Sequence, residues 1–455
     1  MRYRVISLAI LQWIITVLFL TTSWKTALII YALFLIASFF IFLDLRTILC
    51  CMIFTATSIV VLHIHHLSLI NTPIHSLAKN GEYISYQCEL RSDPHQLPDK
   101  MEYGKTSRGN FTSLCSLSHF SQGGKEQSAH LPVRIVSRPP ILGTVGEKVE
   151  GFGQLFPTTE KAVATLIYSR NGVSKVASAN GFNEWVNHFR ENFSHFASQI
   201  RGDAGALIPG LIIGDTSRES HTLLQQMQRA GLTHLTAVSG ENFTIIVVAF
   251  LWVLMKIFPF FRTRYLIVGI ACLIFIFIAR PSPSVMRASI MISLLLLGKA
   301  KGFSVDPIPT LGAAILILIS VNPFEALDPG FALSSLATLG ILLLYPRLER
   351  WSVARWRGEG RIHRYLFAPL LLAITANLFT APIAISLSGY FSWTAIPSNA
   401  LIEPLVAPVT VFGCLALIFA QFSPAIAHLL LFCCLPFSWS IVKLAGVFSH
   451  LPTIG

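Results

Sequence analysis

The stretch GLTHLTAVSGENFTIIVV, residues 231–248, carries His234, Ser239, Glu241 and Asn242 and then turns wholly apolar. Serine with histidine is the start of a hydrolase, because a serine nucleophile needs a base within hydrogen-bond reach. The local AVSGEN lacks the G-x-S-x-G elbow. On a helix, residues five apart stand roughly 140° apart around the axis, so His234 and Ser239 would not face each other. No later apolar run offers a histidine at mid-depth: His363 is in a loop, and His428 and His450 lie near the ends of the last run. The HIHH stretch at 63–66 resembles the start of a dinuclear H-x-H-x-D-H metal site without its aspartate. It reads as the point where a span reaches water. No G-x-x-x-x-G-K-[ST] loop is present. The residues therefore call for no metal and no cofactor, and neither nuclease nor ATPase activity is expected.

Other polar groups sit in or beside apolar runs. Arg280 and Arg287 bracket RPSPSVMRAS; Glu403 lies in SNALIEPLVAP; Asn377 and Asn399 add amides. An ionisable group inside a span costs about 2.5–3.5 kcal/mol on insertion scales and faces a bundle interior or water. Pro404 and Pro408 break the backbone ladder near Glu403, which membrane helices tolerate where protein or water satisfies the freed groups. Two readings remain open from the residues alone. One is a polar path, and the other is an internal ion pair of Arg287 with Glu241 or Glu403.

The elements that must position these residues are membrane spans. Of 455 residues, 53% are hydrophobic and only 12% charged, against about 25% charged in soluble domains. About 20 apolar residues cross a bilayer as a helix, and eleven runs qualify: near 5–21, 25–43, 46–63, 235–257, 265–280, 284–298, 307–321, 330–346, 365–388, 396–420 and 424–448. The first run lacks a small-x-small cleavage site and is read as a retained span. The net charge of +12 concentrates in short loops. Loop 347–364 holds Arg347, Arg350, Arg355, Arg357, Arg361 and Arg364 against Glu349 and Glu359; Lys256, Arg262, Arg264, Lys299 and Lys301 fall on the same side. This positive-inside pattern places the N-terminus in the cytoplasm and residues 64–203 outside it. Cys88 and Cys115 lie in that outer segment, where oxidation is favoured, and are a candidate disulfide. The other six cysteines sit in apolar runs and read as small hydrophobes.

Residues 64–203 change character. Short, partly alternating segments at 82–90, 111–120, 131–137, 148–155 and 163–169 predict five strands, most simply an OB-like barrel. The stretch 91–110 reads as a long loop. Between 182 and 200, Trp185, Phe189, Phe193, Phe196 and Ile200 recur at helical spacing, with Asn187, Arg190, Glu191 and Ser194 opposite. That amphipathic pattern suits an interfacial helix or a packed one. The run 204–214 is too short to span.

AGLTHLTAVSGENFTIIVV resembles the signature of ComEC-type competence proteins, in which a G-x-x-H-x-x-x-x-S-G-x-[HN] run enters the membrane. The resemblance continues in LIPGLIIGDTS (207–217), PSVMRASIM (283–291), NPFEALDPGFALSSLATLGI (322–341) and SWTAIPSNALIEPLVAPVTV (392–411). It implies three N-terminal spans (1–63), an extracytoplasmic OB-like domain (64–181), an interfacial helix (182–203) and a channel domain (204–455). It further implies a multi-pass protein of the cytoplasmic membrane that carries single-stranded DNA inward during natural transformation. The matching positions are His234, Ser239, Gly240, Asn242, Arg287, Asp328, Phe331, Ser334, Asn399 and Pro404, with Glu241 and Glu403 beside them. Many members have a second histidine where this chain has Asn242. Many also end in a metallo-β-lactamase-like domain, which this sequence lacks after its last span. The implied partners are single-stranded DNA, membrane lipid, a cytosolic ATPase or translocase, an extracytoplasmic DNA receptor, a separate nuclease and, for a pore, further copies of the chain. The alternatives are a permease for another polar solute and an intramembrane serine hydrolase.

Overall fold

A computed structural model describes residues 3–22, 45–70, 72–96, 110–236, 238–355, 367–389 and 392–451, with residues 26, 29, 32, 101, 102, 105, 106 and 363 between them. The chain divides into two compact units, Val60–Phe189 on one hand and Met1–Ile59 with Arg190–Gly455 on the other.

Helices account for most of the described residues. They are α1 (Arg4–Thr21), α2 (Leu45–Ile70), α3 (Pro73–Lys79), α4 (Phe182–Ser198), α5 (Asp203–Ile213), α6 (His221–Arg229), α7 (Gly240–Ile257) and α8 (Phe261–Ala279). After them come α9 (Pro283–Ala300), α10 (Pro307–Val321), α11 (Pro329–Arg355), α12 (Ala368–Ser388), α13 (Ala395–Phe419) and α14 (Pro424–Ser449). Among the described residues nine helices are long and apolar enough to cross a membrane: α1, α2, α7, α8, α9, α11, α12, α13 and α14. The chain is a multi-pass membrane protein. The expected span at 25–43 lies almost wholly outside the described residues. The run at 307–321 forms α10, whose 15 residues fall short of the roughly 20 that cross a bilayer.

Helix starts follow short polar residues. Ser239 caps α7, Ser282 caps α9 and Asp306 caps α10, each side chain accepting from a backbone N–H of the first turn. Asp328 Oδ1 does the same for Phe331 N–H at the head of α11. Pro283, Pro307 and Pro329 occupy the first helical position of α9, α10 and α11, where proline forfeits no hydrogen bond.

Helix α1 is tied into its unit by buried polar contacts. Gln12 Nε2 donates to Ser58 Oγ (2.6 Å), Ser320 Oγ (2.9 Å) and the Phe54 carbonyl (3.2 Å). Trp13 Nε1 donates to the Ala326 carbonyl, and its ring meets Phe331 edge-on at 5.0 Å.

The other unit is built on a mixed seven-stranded sheet. Its strands are β1 (Tyr83–Leu90), β2 (His95–Gln96), β5 (Phe111–Gln122), β6 (Lys125–Ser137), β7 (Lys148–Phe156), β8 (Thr165–Ser169) and β9 (Val173–Ala177). They run β1-β5-β6-β8-β7-β9, β2 pairs with β5, and β1 also pairs with β7 and so closes the sheet on itself. The β6–β8 pair is parallel; the others are antiparallel. All five expected strands are present. The stretch 91–110, expected as loop, contributes β2 and a small ladder of β3 (Met101–Glu102) with β4 (Lys105–Thr106). Strand β9 was not anticipated. Because alternate residues of a strand face one side, Ile84, Tyr86, Cys88 and Leu90 of β1 enter a core with Leu117, Val133, Ile135, Val149, Leu155 and Ile167. Each fully buried aliphatic side chain there contributes about 1.5–3 kcal/mol.

Helix α4 corrects the expected faces. Asn187 and Arg190, placed opposite the aromatic stripe, are buried. The amide of Asn187 donates to the Val145 carbonyl, and the guanidinium of Arg190 donates to the carbonyls of Ile213 and Ile278. On the expected aromatic face Phe193 is buried but Trp185 is 45% exposed. Orphan backbone acceptors drew the polar side chains inward; apolar periodicity alone does not register such a demand.

Candidate functional site

The site is assembled around the start of α7. Ser239 has extended backbone angles and its hydroxyl accepts from Asn242 N–H at 3.1 Å, which makes it the N-cap of α7. His234 lies in a separate 3-10 turn, Thr233–Leu235, and is exposed. No hydrogen bond joins it to Ser239 among the described residues. The helical onset expected at 235 falls five residues later because this turn and the cap intervene.

Asn242 is fully buried. Its Nδ2 donates to the Leu211 carbonyl at 3.0 Å, while its Oδ1 has no hydrogen-bond partner among the described residues. The Leu211 carbonyl is one of the last acceptors of α5, which its own helix leaves unpaired. The Ile213 carbonyl, in the same position, is taken by Arg190. Two side chains from distant segments thus finish the C-terminus of α5.

Gly240 allows α7 to approach α9 closely. A Cβ at this position would lie 3.1 Å from Ala288 Cβ, 3.2 Å from Arg287 Nη2 and 3.3 Å from the Ser284 carbonyl. Arg287 is only 6% exposed. It donates to Ser334 Oγ of α11 from Nε (3.0 Å) and Nη2 (2.7 Å), and Nη1 reaches Met291 Sδ at 3.3 Å. No ion pair links Arg287 to Glu241 or Glu403 among the described residues, so the expected internal salt bridge is not formed. Its partners are a hydroxyl and a thioether, and its positive charge stands uncompensated beside the head of α7.

Glu241 and Glu403 lie on two helices packed against each other, α7 and α13. Asn399 is buried, one turn before Glu403, and its Oδ1 has no hydrogen-bond partner among the described residues. Asp328 serves as a cap at the head of α11 and does not join the Arg287 cluster. The head of α13 is anchored by hydroxyls: Ser392, Thr394 and Ser398 donate to the carbonyls that end α6, Arg229 and Ala230.

The family model described as Competence protein matches residues 211–454. That interval opens at Leu211, the acceptor of Asn242, and takes in Ser239, Gly240, Arg287, Ser334, Asn399 and Glu403. The chain belongs to this family. The competence family also supplies a curated relative: ComE operon protein 3 of Bacillus subtilis (strain 168) is 21% identical over 255 residues, covering 55% of this chain and 31% of that protein. The match spans about a third of that relative's length. No solved structure matches.

The competence-family region, residues 211–454, also holds a group without a motif signal. Glu219 is buried, and neither carboxylate oxygen has a hydrogen-bond partner among the described residues. Arg190 and Gln12, outside the matched interval, secure backbone and hydroxyl groups of the same unit. The sequence signal for Gln12 was a lone amide in the apolar run LAILQWIITV. Glu219 gave none, since it follows four polar residues in a segment that reads as an ordinary linker.

Proposed function

We propose that this chain forms, or contributes to, a channel that carries single-stranded DNA across the cytoplasmic membrane. Membership of the competence family suggests a role in DNA uptake during natural transformation. The observation that carries the channel reading is Arg287, a buried guanidinium without a counter-ion among the described residues, held by Ser334 beside the bare Gly240 at the head of α7. A single strand carries a phosphate charge at every nucleotide, and its passage needs water or cations along the path. The N-terminus of a helix adds the same sign of field. Asn242, Asn399, Glu241 and Glu403 would line the same wet route, the carboxylates with their own counter-ions. In this reading the N-terminus is cytoplasmic, the β unit is extracytoplasmic, and a cytosolic ATPase docks on the basic loops. A DNA receptor, a separate nuclease and further copies of the chain complete the machinery.

The β unit is read as OB-like. Its closed path β1-β5-β6-β8-β7 with one parallel pair supports that assignment, and such barrels hold single strands by stacking bases on aromatics. Tyr83 and Phe152, both exposed, stack on each other at 5.7 Å, whereas Tyr86 belongs to the core. The hydrolase alternative is weakened by the use of the Ser239 hydroxyl as a helix cap. The test is reconstitution of the full chain in liposomes with labelled single-stranded DNA outside. Entry that Arg287→Met abolishes supports a DNA channel; no entry of DNA, with passage of a small polar solute, supports the permease.

A further inference from the structure

Glu219 occupies a place where an ionised carboxylate has nothing to bind. It lies in the link between α5 and α6, outside the nine spans, and is 8% exposed. Neither Oε1 nor Oε2 has a hydrogen-bond partner among the described residues. On one side is Gly210 of α5, where a Cβ would sit 2.4 Å from Glu219 Oε1. The same Cβ position is 3.0 Å from the Thr236 carbonyl oxygen. The carboxyl and that carbonyl therefore share the space that the missing side chain of Gly210 leaves. Two acceptors facing each other repel, but a protonated carboxyl is a donor and a carbonyl accepts from it.

The surroundings offer no cation in exchange among the described residues. Asp215 is the charged group whose field reaches Glu219, and it is held by Ser194 Oγ and by the amide and hydroxyl of Ser217. Arg218, next in the chain, donates to the Ser198 carbonyl. Arg190 is directed at the carbonyls of Ile213 and Ile278. Asp203, at the head of α5, accepts from Ser220, and His234 on the 3-10 turn is exposed. A buried, unpaired carboxylate neutralises itself by taking up a proton. Burial first and the Asp215 charge second push the Glu219 carboxyl up to about 8.

We propose that Glu219 is a proton-binding site whose protonated carboxyl donates to the Thr236 carbonyl and latches the 3-10 turn Thr233–Leu235 to the link between α5 and α6. Further along the chain lie Ser239, the cap of α7, and Gly240 against Arg287. Loss of the proton replaces the bond with repulsion between two oxygens and frees the turn. The occupancy of Glu219 thereby sets the position of the head of α7.

The experiment uses the full chain in detergent, wild type and Glu219→Gln, which keeps a neutral donor. A group whose folded pKa is raised contributes stability that is complete below its unfolded pKa and lost as pH rises through its folded one. The wild type should match Glu219→Gln in unfolding temperature below about pH 4.5, fall progressively below it as pH rises, and level off as pH passes about 8. Parallel curves would overturn the proposal. Infrared spectra of the wild type alone supply a readout that needs no variant: a carboxylic-acid band must vanish with a midpoint near pH 8, and its absence overturns the proposal. A rise in wild-type unfolding temperature with sodium or potassium at alkaline pH, missing in Glu219→Gln, would replace the proton with a metal cation. None of these readouts uses DNA, so the result stands apart from the channel reading.

Discussion

Arg287 donates twice to one oxygen, Ser334 Oγ, at 3.0 and 2.7 Å, and no carboxylate among the described residues neutralises it. Hydrogen bonds to a charged group are worth about 1.5–3 kcal/mol. Ser334→Ala should lower stability by that order, because it leaves a buried charge with fewer partners. Arg287→Met, which fills similar volume without charge, should keep the fold and lose DNA entry. Unfolding temperature and labelled-DNA uptake, measured on both variants, separate the two effects. Normal uptake by Arg287→Met would remove Arg287 from the path.

Asn242 bridges α7 and α5 through the Leu211 carbonyl. In Asn242→Ala that carbonyl loses its donor, at a cost of about 1–3 kcal/mol for a buried unsatisfied group. Asn242→His, with a ring N–H in place of the amide, should recover much of the loss. Denaturation of the purified variants in detergent checks the order wild type, histidine, alanine.

Gly240 sets the distance between α7 and α9. Alanine there meets Ala288, Arg287 and Ser284 at 3.1–3.3 Å, tight contacts that a small shift relieves. Valine has no such room and should displace Arg287 from Ser334. Uptake should survive in Gly240→Ala, reduced, and be lost in Gly240→Val. Equal activity in the two would show that the approach of these helices is not critical.

Cys88 and Cys115 are thiols in contact inside the β core, on neighbouring strands. The hydrogen bond that the Cys88 thiol donates to Cys115, and then burial, raise the Cys88 pKa, so Cys88 is not expected to react quickly. Slow oxidation should join them, and closing a loop of that length adds roughly 3–4 kcal/mol on the chain-entropy model. Non-reducing peptide mapping after mild oxidation shows whether the link forms, and Cys88→Ser should abolish it together with the gain in stability.

Tyr83 and Phe152 form an exposed aromatic stack on the β unit. If bases stack there, Tyr83→Ala with Phe152→Ala should weaken single-strand binding by about 1–3 kcal/mol per base lost. Titration of the full chain with fluorescent oligonucleotides measures this, and unchanged affinity would assign the stack to another partner.

Local chemistry made much of the architecture readable before any fold was known. Ser282, Asp306 and Asp328 stand just before the helix starts expected at 284, 307 and 330, because a short side-chain acceptor satisfies N–H groups that every helix leaves free. The start expected at 235 missed the Ser239 cap. The alternation in YISYQCEL gives β1 for a similar reason, as each residue's face follows from its position in the strand. The errors arose where demand came from afar. Arg190 and Asn187 look like solvent-facing polar residues in FNEWVNHFREN until the carbonyls of Ile213, Ile278 and Val145 arrive.

By itself the sequence determined that this is a membrane chain with a β-rich insertion, where most helices begin, and which family signature it carries. Each of those depends on residues near one another in the chain. The tertiary structure decided that Arg287 answers to Ser334 and to no carboxylate among the described residues, that the helices of Glu241 and Glu403 pack together, and that Glu219 is buried beside Gly210. Those outcomes turn on which orphan donors and acceptors are left over once helices pack. That remainder is a property of the whole assembly, and no local spacing encodes it.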